Sequence, residues 1–407
     1  MGSSPEFVVG IDMGTTKISV LIGEVGPVGE VRIIGVGTSP SEGIKKGIVV
    51  NIDAAADCVI RARIGAEKMA GVEICGVCAG ISGAHVKSFN SRGVIAIPTS
   101  KREVAAKDVD RVTEAARSIA LPFDREILHT IPQDFVVDDQ DGIRDPIGMS
   151  AMRLEADVHI VTGQITQIEN LSKVLRKAGL EIVDLVFEPV ATAKAVLTEE
   201  EIDCGALLVD VGGGVTSYAL FYGGCIRSSG ALPIGGVHVT GDLAIGLRTP
   251  ASVAEMLKRE HGVALPELTG DDETVMVPGV GGRSGQEVRS HILAAIIEPR
   301  CEEIFTMVKQ AVSGEPFFRM LGGGIVLTGG GSKMKGMTEL GEQVFDLPVR
   351  KAAPEGLDGL AEIVCEEGWS TGVGMLLHGR DGIVGAGEAR RHLKRMFGKL
   401  KRIASLF

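Results

Sequence analysis

The sequence contains two similar segments that lie about 200 residues apart. One is "FVVGIDMGTTKISVLIGEV" at 7–25, and the other is "ALLVDVGGGVTSYALFYGG" at 206–224. Each has an apolar run, an aspartate (Asp12 or Asp210), a glycine-containing turn and a second apolar run, and each continues into a third strand-like stretch. A repeated strand–turn–strand–strand unit predicts two related α/β halves.

Helical patterns alternate with apolar strand patterns in both halves, which is typical of a layered α/β fold. Helices are predicted at 53–71, 165–178, 236–247, 251–261, 286–312 and 333–346, and strands at 181–187 and 323–328. The block 85–163 contains two or three further strand patterns and a helical pattern near 107–119. It predicts a small α/β subdomain inserted into the first half.

Length and composition limit the class of protein. A chain of 407 residues suggests two to four domains, and the formal charge of -11 argues against nucleic-acid binding, which needs a basic face. No apolar run reaches the roughly 18 residues of a membrane span, and the start of the chain shows no secretory signal pattern. The 56 glycines cluster in short loops beside apolar runs, which predicts ligand sites lined by backbone.

Seven cysteines at irregular spacing fit a reducing cytosol. Cys75 and Cys78 form a CxxC pattern that is open to interpretation as a redox or metal pair. Because no second pair lies at metal-binding spacing, we interpret this stretch as a buried strand.

Three glycine loops carry the chemistry. "GTTK" follows Asp12, "GGGVT" follows Asp210, and "GGGS" at 329–332 joins a strand to a predicted helix. Backbone N–H groups in such turns bind phosphate oxygens, and carboxylates at strand ends can hold Mg²⁺ through water. A single glycine turn is usually only a tight turn, but two matched turns and a third loop predict a triphosphate site between the halves. Neither GxGxxG nor GxxxxGK[ST] is present.

These residues resemble a known superfamily. "DMGTTK", "DVGGGVTS", "LTGGGS" and "WSTGVGMLLHG" are similar to the two phosphate motifs, the adenosine motif and the second connecting motif of actin, heat-shock chaperones and sugar kinases. Within it, "IIGVGTSPSEGIKKG", "HTIPQDFVVDDQDGIRDPIGMS" and "VMVPGVGGR" resemble the FtsA family of bacterial cell-division proteins, over essentially 7–407. The resemblance implies an α/β, actin-like (ribonuclease H-like) duplicated fold with a central ATP cleft and an inserted small α/β subdomain.

The resemblance also implies a division of the chain into subdomains. These are 1A (7–84 with 164–193 and 367–382), the inserted 1C (85–163), 2A (194–228 with 299–366), 2B (229–298), a linker (383–389) and an amphipathic membrane-targeting helix (390–407).

Residue by residue, the resemblance implies ATP and Mg²⁺ as cofactors. Thr15, Thr16 and Lys17 are expected at the β- and γ-phosphates, and Asp12 and Asp210 at the Mg²⁺, through water. The other implied nucleotide contacts are Gly14, Gly212, Gly213, Gly214, Thr216, Glu255, Lys258, Gly329, Gly330, Gly331 and Ser332. Glu255 and Lys258 would contact ribose and base; the alternative is a solvated i,i+3 pair.

Glu188 occupies the place where relatives orient the attacking water, and its alternative is an ordinary strand-end acid. One departure concerns hydrolysis. Val215 and Ser217 stand in "VTS", where relatives often have "TTD", so a hydroxyl and a charge are missing. Whether ATP is turned over or only held therefore stays open.

The last 19 residues are basic, with seven Lys or Arg and no acid, although the whole chain is acidic. An apolar face is predicted from Leu393, Met396, Phe397, Leu400, Ile403, Ala404 and Phe407, and a cationic face from Arg391, Lys394, Arg395, Lys399, Lys401 and Arg402. This pattern predicts an amphipathic helix about 25 Å long that lies in an anionic membrane interface. The alternative is a helix packed on the body.

The resemblance implies a function on the cytoplasmic face of the bacterial membrane at the division site. ATP-bound molecules would associate head to tail into filaments, tether the C-terminal peptide of FtsZ and recruit later division proteins. Arg300 in "IIEPRCEEIF" is the candidate contact for the FtsZ peptide. A small-molecule kinase and a pilus-assembly protein are the alternatives. A chaperone is not expected, since about 28 residues follow "WSTGVGMLLHG".

Overall fold

The computed structural model describes residues 6–98, 102–270, 272–279 and 284–384. The strands in these ranges are β1 (Glu6–Met13), β2 (Lys17–Val25), β3 (Val31–Pro40), β4 (Ile44–Lys45), β5 (Ile48–Val49), β6 (Gly76–Ile81), β7 (Lys87–Ala96), β8 (Arg125–Val137), β9 (Gln140–Ile143), β10 (Arg153–Gln164), β11 (Glu181–Phe187), β12 (Ala206–Val211), β13 (Thr216–Tyr222), β14 (Cys225–Leu232), β15 (Thr274–Val277), β16 (Gln286–Arg289), β17 (Ile325–Thr328), β18 (Val349–Lys351) and β19 (Asp358–Gly359). The helices are α1 (Ile52–Ala70), α2 (Ala106–Arg117), α3 (Ile165–Lys177), α4 (Glu188–Val196), α5 (Glu199–Cys204), α6 (Gly236–Gly246), α7 (Ala251–His261), α8 (Ser290–Val312), α9 (Met337–Phe345) and α10 (370–384).

The two halves are built on sheets of the same topology. The first sheet has the order β11-β6-β1-β2-β3-β19, and the second has the order β18-β17-β12-β13-β14. In both, three antiparallel strands are extended on one side by two parallel ones. The first sheet has one more strand, β19, which pairs with β3 in parallel. Asp12 pairs with Ser19 and Asp210 pairs with Ser217, seven residues on in each case. The predicted duplication is therefore confirmed down to the strand register.

Small residues let helices approach the first sheet closely. A methyl group placed on Gly37 would lie 1.8 Å from the carbonyl oxygen of Ala62 in α1. On the other face, a methyl group on Gly10 would lie 2.9 Å from the Cβ of Met375 in α10. With a helix against each face, the central strands β1 and β2 are almost wholly buried. This fixes the end of β1, and with it Asp12.

One apolar cluster joins the halves. It combines Leu21 of the first sheet, Leu208 of the second sheet, Ala193 of α4 and Leu376 of α10, each at most 3% exposed. A shared core of this kind holds the two sheets as neighbours, so that the ends of β1 and β12 face the same space.

The insert is a four-stranded sheet with the order β7-β10-β8-β9, and α2 packs across it. Its presence was predicted, although β9 was not. Its sheet contacts β14 of the second half: Ser88 donates to the carbonyl oxygen of Ser229, and Asn90 Nδ2 donates to that of Arg227 at 3.0 Å. The insert therefore touches both halves. The exact subdomain bounds stay a prediction.

Two predicted helices begin later than expected. The stretch predicted to open α8 instead forms β16, which pairs with β15, and α8 begins only at Ser290. The glycine loop runs into a 3-10 turn, Gly330–Lys333, and α9 begins only at Met337. Gly336 has a φ of 85°, a left-handed conformation that a continuous helix does not allow.

Three helices, α4, α5 and α10, were not predicted. In α4, six of nine residues are buried, so it has no polar face to give a helical period. The helix α5 has six residues, three of them consecutive glutamates, and it buries none of them.

The CxxC interpretation is half right. Cys78 is buried in β6, as predicted, whereas Cys75 lies before the strand and is exposed. In the described ranges, no helix is both long and apolar enough to cross a membrane. Within the predicted linker 383–389, residues 383 and 384 belong to α10, and the predicted membrane helix lies outside the described residues.

Candidate functional site

A cleft of about 930 Å³ opens between the two halves, a size typical of small-molecule sites. All three glycine loops line it. The predicted residues that line it are Asp12, Gly14, Thr15, Thr16, Lys17, Glu188, Asp210, Gly212, Gly213, Gly214, Glu255, Lys258, Gly329, Gly330 and Gly331.

Two predicted contacts do not reach the cleft. Thr216 is fully buried in β13 and donates its hydroxyl to the carbonyl oxygen of Ile234 at 2.9 Å. Ser332 is also fully buried, and its hydroxyl donates to the carbonyl oxygen of Gly329 at 2.7 Å. Because both hydroxyls are used on backbone, these residues shape the loops rather than face a ligand.

The first two glycine loops touch across the cleft. A methyl group on Gly213 would lie 2.6 Å from Cγ2 of Thr16, and one on Gly214 would lie 2.7 Å from Oγ1 of Thr15. Glycine is therefore needed at both positions for the threonines of the other half to approach. The result is a narrow gap lined by N–H groups and hydroxyls, the groups that bind phosphate oxygens.

The third glycine loop offers open backbone. Gly330 lines the cleft, and a methyl group placed on it would meet nothing within 4 Å. Gly329 has a φ of 86°, and a methyl group there would lie 2.2 Å from Oδ1 of Asp210. This loop therefore presents a bare backbone surface on which a flat ligand fits.

Three carboxyl groups converge at the floor of the cleft. Burial raises the pKa of Asp12, and it raises the pKa of Asp210 to about 6. Burial also raises the pKa of Glu188 well above its ordinary value, with the negative charges of Asp12 and Asp210 as further causes. Such a group of acids gains from a nearby cation, which removes both the burial cost and the repulsion.

No group of three or more His, Cys, Asp or Glu side chains in the described residues is placed to bind a metal directly. Mg²⁺ usually keeps several of its waters and needs only one or two carboxylates with phosphate oxygens. Asp12 and Asp210 supply that number at matched positions of the two sheets.

Glu188 is the first residue of α4, directly after the buried Phe187 at the end of β11. A methyl group on Gly80 would lie 3.2 Å from its Cγ, so Gly80 leaves the room that this side chain uses. Glu188 is therefore a half-buried acid that lines the cleft.

Glu255 and Lys258 form a network rather than a solvated pair. Lys258 Nζ donates to Glu255 Oε2 at 2.6 Å, to Thr240 Oγ1 at 2.9 Å and to the carbonyl oxygen of Gly236 at 3.0 Å. The pair ties α7 to α6 at the edge of the cleft.

Several site residues were not predicted. Thr371 Oγ1 donates to Asp210 Oδ2 at 2.9 Å, and the hydroxyls of Ser82 and Ser217 are 2.7 Å apart across the two halves. Lys333 lines the cleft next to the third glycine loop. Thr371 lies in "WSTG" and Lys333 lies in "GGGSK", so the position of each within a motif could have identified it. Nothing local marks Ser82.

Arg300, the predicted partner contact, lies on α8 outside the cleft. Its guanidinium pairs with Asp242 at 2.6 Å and also with Glu303, and these two carboxylates raise its pKa.

Comparison with known families gives two matches. The family described as "SHS2 domain inserted in FTSA" matches residues 83–162, and "Cell division protein FtsA" matches residues 207–374. The first match covers the inserted sheet, and the second covers most of the second half.

Whole-length relatives bear the same name. Cell division protein FtsA of Pseudomonas aeruginosa is 44% identical over 92% of this chain and 90% of its own length. The protein of that name from Escherichia coli K12 is 37% identical over 98% and 97%, respectively.

Solved structures show the same fold at low identity. The PilM-PilN type IV pilus biogenesis complex matches with a TM-score of 0.66 at 18% identity, covering 92% of this chain and 98% of that chain. MreB5 of Spiroplasma citri bound to AMPPNP matches with a TM-score of 0.56 at 14% identity, covering 97% and 99%. The fold is therefore actin-like. Taken with the whole-length relatives, this establishes that the chain belongs to the FtsA family of cell-division proteins.

Proposed function

We propose that this protein binds ATP with Mg²⁺ in the cleft, assembles into filaments on the cytoplasmic face of the membrane and tethers FtsZ there. The observation that carries the nucleotide step is the facing pair of glycine loops. Gly213 and Gly214 of one half lie against Thr16 and Thr15 of the other, each loop following an aspartate at an equivalent strand position.

The residues present fit a magnesium nucleotide. Thr15 and Thr16 would bind the terminal phosphates from one side, and the backbone of 212–214 from the other. Asp12 and Asp210 would hold the waters of Mg²⁺, whose charge would offset the cost of their burial. The bare surface at Gly330 would receive the adenosine. Glu188 would orient water if hydrolysis occurs.

Closure of the cleft supports assembly. A ligand held by both halves favours the closed arrangement, since it binds that arrangement better than an open one. A fixed arrangement presents a constant surface, and a head-to-tail contact that does not close a ring propagates into a filament. The insert would contribute to that contact and to the recruitment of later division proteins.

Membrane attachment is assigned to 390–407, on its sequence pattern alone. Leu393, Phe397, Leu400 and the other apolar residues of that face would enter the interface, and the cations would pair with anionic headgroups. One such segment binds reversibly, and a row of them along a filament binds much more firmly.

FtsZ is assigned to the smaller subdomain of the second half through its C-terminal peptide. Arg300 is the candidate contact, and the family resemblance is what supports this assignment. Because Asp242 and Glu303 already pair with the guanidinium, an incoming carboxylate would have to share it with them.

The test is electron microscopy on an anionic lipid monolayer with ATP and Mg²⁺. The full chain is compared with a chain that ends at Glu388. We expect filaments or ordered rows from the full chain and a bare monolayer from the shorter one. Equal binding by both chains would overturn the anchor, and binding without any ordered assembly would overturn the filament.

Two matched variants isolate the nucleotide step. Gly213→Ala places a methyl group 2.6 Å from Thr16 and is expected to bind the monolayer without assembling. Gly241→Ala adds the same methyl group in α6, where nothing lies within 4 Å, and should assemble like the parent. Normal assembly of Gly213→Ala would contradict a role for the facing loops.

A further inference from the structure

A short segment, 366–371, connects the cleft to α10. Its backbone and side chains contact all three glycine-loop regions. Glu366 pairs with Lys333, Gly329 N donates to the carbonyl oxygen of Glu367 at 3.2 Å, and Thr371 donates to Asp210. Since α10 begins at residue 370, any shift of this segment moves the first turn of that helix.

Lys17 is bound to this segment in the structure. Its Nζ donates to the carbonyl oxygen of Gly368 at 2.8 Å and lies 3.7 Å from the centroid of the Trp369 ring. A carbonyl oxygen and an aromatic face are both favourable to an ammonium, but neither carries a full negative charge.

The environment of Lys17 allows a phosphate oxygen to replace its present contacts. In the part of the chain that the structure describes, no carboxylate oxygen lies within 4.0 Å of its Nζ. Burial lowers the pKa of Lys17, and the negative charge of Asp12 opposes this shift only in part. Of the more distant charges, Lys333 lowers the pKa and Glu366 raises it. A half-buried cation whose direct contacts are a neutral carbonyl and an aromatic ring gains from a phosphate oxygen placed within reach. Lys17 lines the same cleft as the facing glycine loops.

We propose that Lys17 occupies two positions: the one seen here, on Gly368 and Trp369, and a second on the terminal phosphate oxygens of a bound nucleoside triphosphate. Movement between them removes one of the contacts that hold 366–371 and alters the first turn of α10. Trp369 thus holds Lys17 in the first position, and its environment changes when Lys17 moves to the phosphate. This inference rests on the proposed nucleotide site and adds a readout to it.

The second half of the connection is the packing of α10. A methyl group on Gly379 would lie 2.4 Å from Cγ2 of Val8, and one on Gly29 would lie 3.5 Å from Cγ2 of Val384. The helix is therefore packed against β1 along its length and reaches the hairpin that joins β2 to β3. A change at its first turn has a rigid element to act on.

The test uses the fact that the chain contains one tryptophan. Trp369 fluorescence and its quenching by acrylamide are measured on the full chain during titration with AMPPNP, ADP or AMP, each with Mg²⁺. Nucleotide binding is measured in parallel by calorimetry. We expect a saturable change with AMPPNP, a smaller one with ADP and none with AMP, because AMP lacks the terminal phosphates.

Lys17→Met keeps the length of the side chain without its charge. At saturating AMPPNP it should lose the fluorescence change while calorimetry still detects binding. The inference is overturned if the parent binds AMPPNP with no change at Trp369, or if Lys17→Met shows the full change. Failure of the parent to bind nucleotide in calorimetry would instead overturn the proposed function.

A second pair of variants leaves Lys17 unchanged and alters its aromatic contact. Trp369→Leu removes the aromatic ring that contacts Lys17. Because the ring no longer competes with phosphate for Lys17, AMPPNP should bind about fivefold more tightly. Trp369→Phe keeps an aromatic face and should stay within about twofold of the parent. Equal affinities in Trp369→Leu and Trp369→Phe would show that the ring does not compete for Lys17.

Discussion

Asp210 shows how one residue can be poor for stability and good for binding. It is 8% exposed, and its carboxylate receives one hydrogen bond from Thr371. Burial raises its pKa from 3.8 to about 6. The folded protein therefore binds a proton here more tightly than the unfolded chain does, and the stability from this group falls as pH rises from about 4 to about 6.

Asp210→Asn should therefore stabilise the protein in a pH-dependent way. The gain in free energy of unfolding is expected to be up to roughly 3 kcal/mol at pH 8 and about half of that at pH 5. Urea denaturation of variant and parent at both pH values measures it, and Mg²⁺-dependent nucleotide affinity should fall in the same variant. Asp139→Asn, at a fully exposed acid, is the matched control. A gain that is equal at both pH values would contradict a charge effect.

At the scale of elements, the sequence predicted those helices and strands that a regular local pattern of apolar residues defines. The strand β11 was predicted with its observed bounds, and the helices α1 and α3 were predicted to within a residue or two. The helix α4 was missed because it is buried on almost all sides. The contact of Thr371 with Asp210 spans 161 positions, and no local pattern contains such a pairing.

A buried histidine contributes to the contact between the insert and the second half. His159 Nδ1 of β10 donates to Asn90 Oδ1 at 2.7 Å, and Nε2 of the neutral ring accepts from Ser229 Oγ at 2.7 Å. Burial, together with the neighbouring His129, lowers its pKa to about 4. His159 is therefore neutral in the folded protein, whereas the unfolded chain takes up a proton below about 6.5. Its stabilising contribution is present above that pH and is lost as pH falls toward 4.

We expect acid to loosen this contact first. Between pH 7 and pH 5, His159 alone should cost roughly 2 kcal/mol of stability. Hydrogen exchange followed on β14 and β10 should show faster exchange at pH 5, after correction for intrinsic rates. His159→Gln keeps a polar side chain without the titration and should reduce the pH dependence. If His159→Gln leaves that dependence unchanged, another group controls it.

At the scale of the whole molecule, the two halves meet through both an apolar core and the cleft. The core around Leu208 and Leu376 acts as the permanent contact. The cleft side has polar contacts, such as the buried hydroxyl pair Ser82 and Ser217. Polar contacts of this kind contribute only about 1 kcal/mol each, whereas apolar burial is proportional to area. The cleft side is therefore where the halves should separate to admit a nucleotide.

A disulfide across this pair should lock the cleft. The two hydroxyl oxygens are 2.7 Å apart, so Ser82→Cys combined with Ser217→Cys places two thiols in contact, the starting condition for a disulfide. Once oxidised, the double variant should exchange a fluorescent ATP analogue at least about tenfold more slowly than when reduced, because the halves cannot part. Stopped-flow fluorescence measures both states, and the two single variants control for the seven native cysteines. Unchanged exchange in the oxidised protein would mean that nucleotide enters without separation at this point. The point about which the two halves move would then lie closer to the cleft than the shared apolar core does.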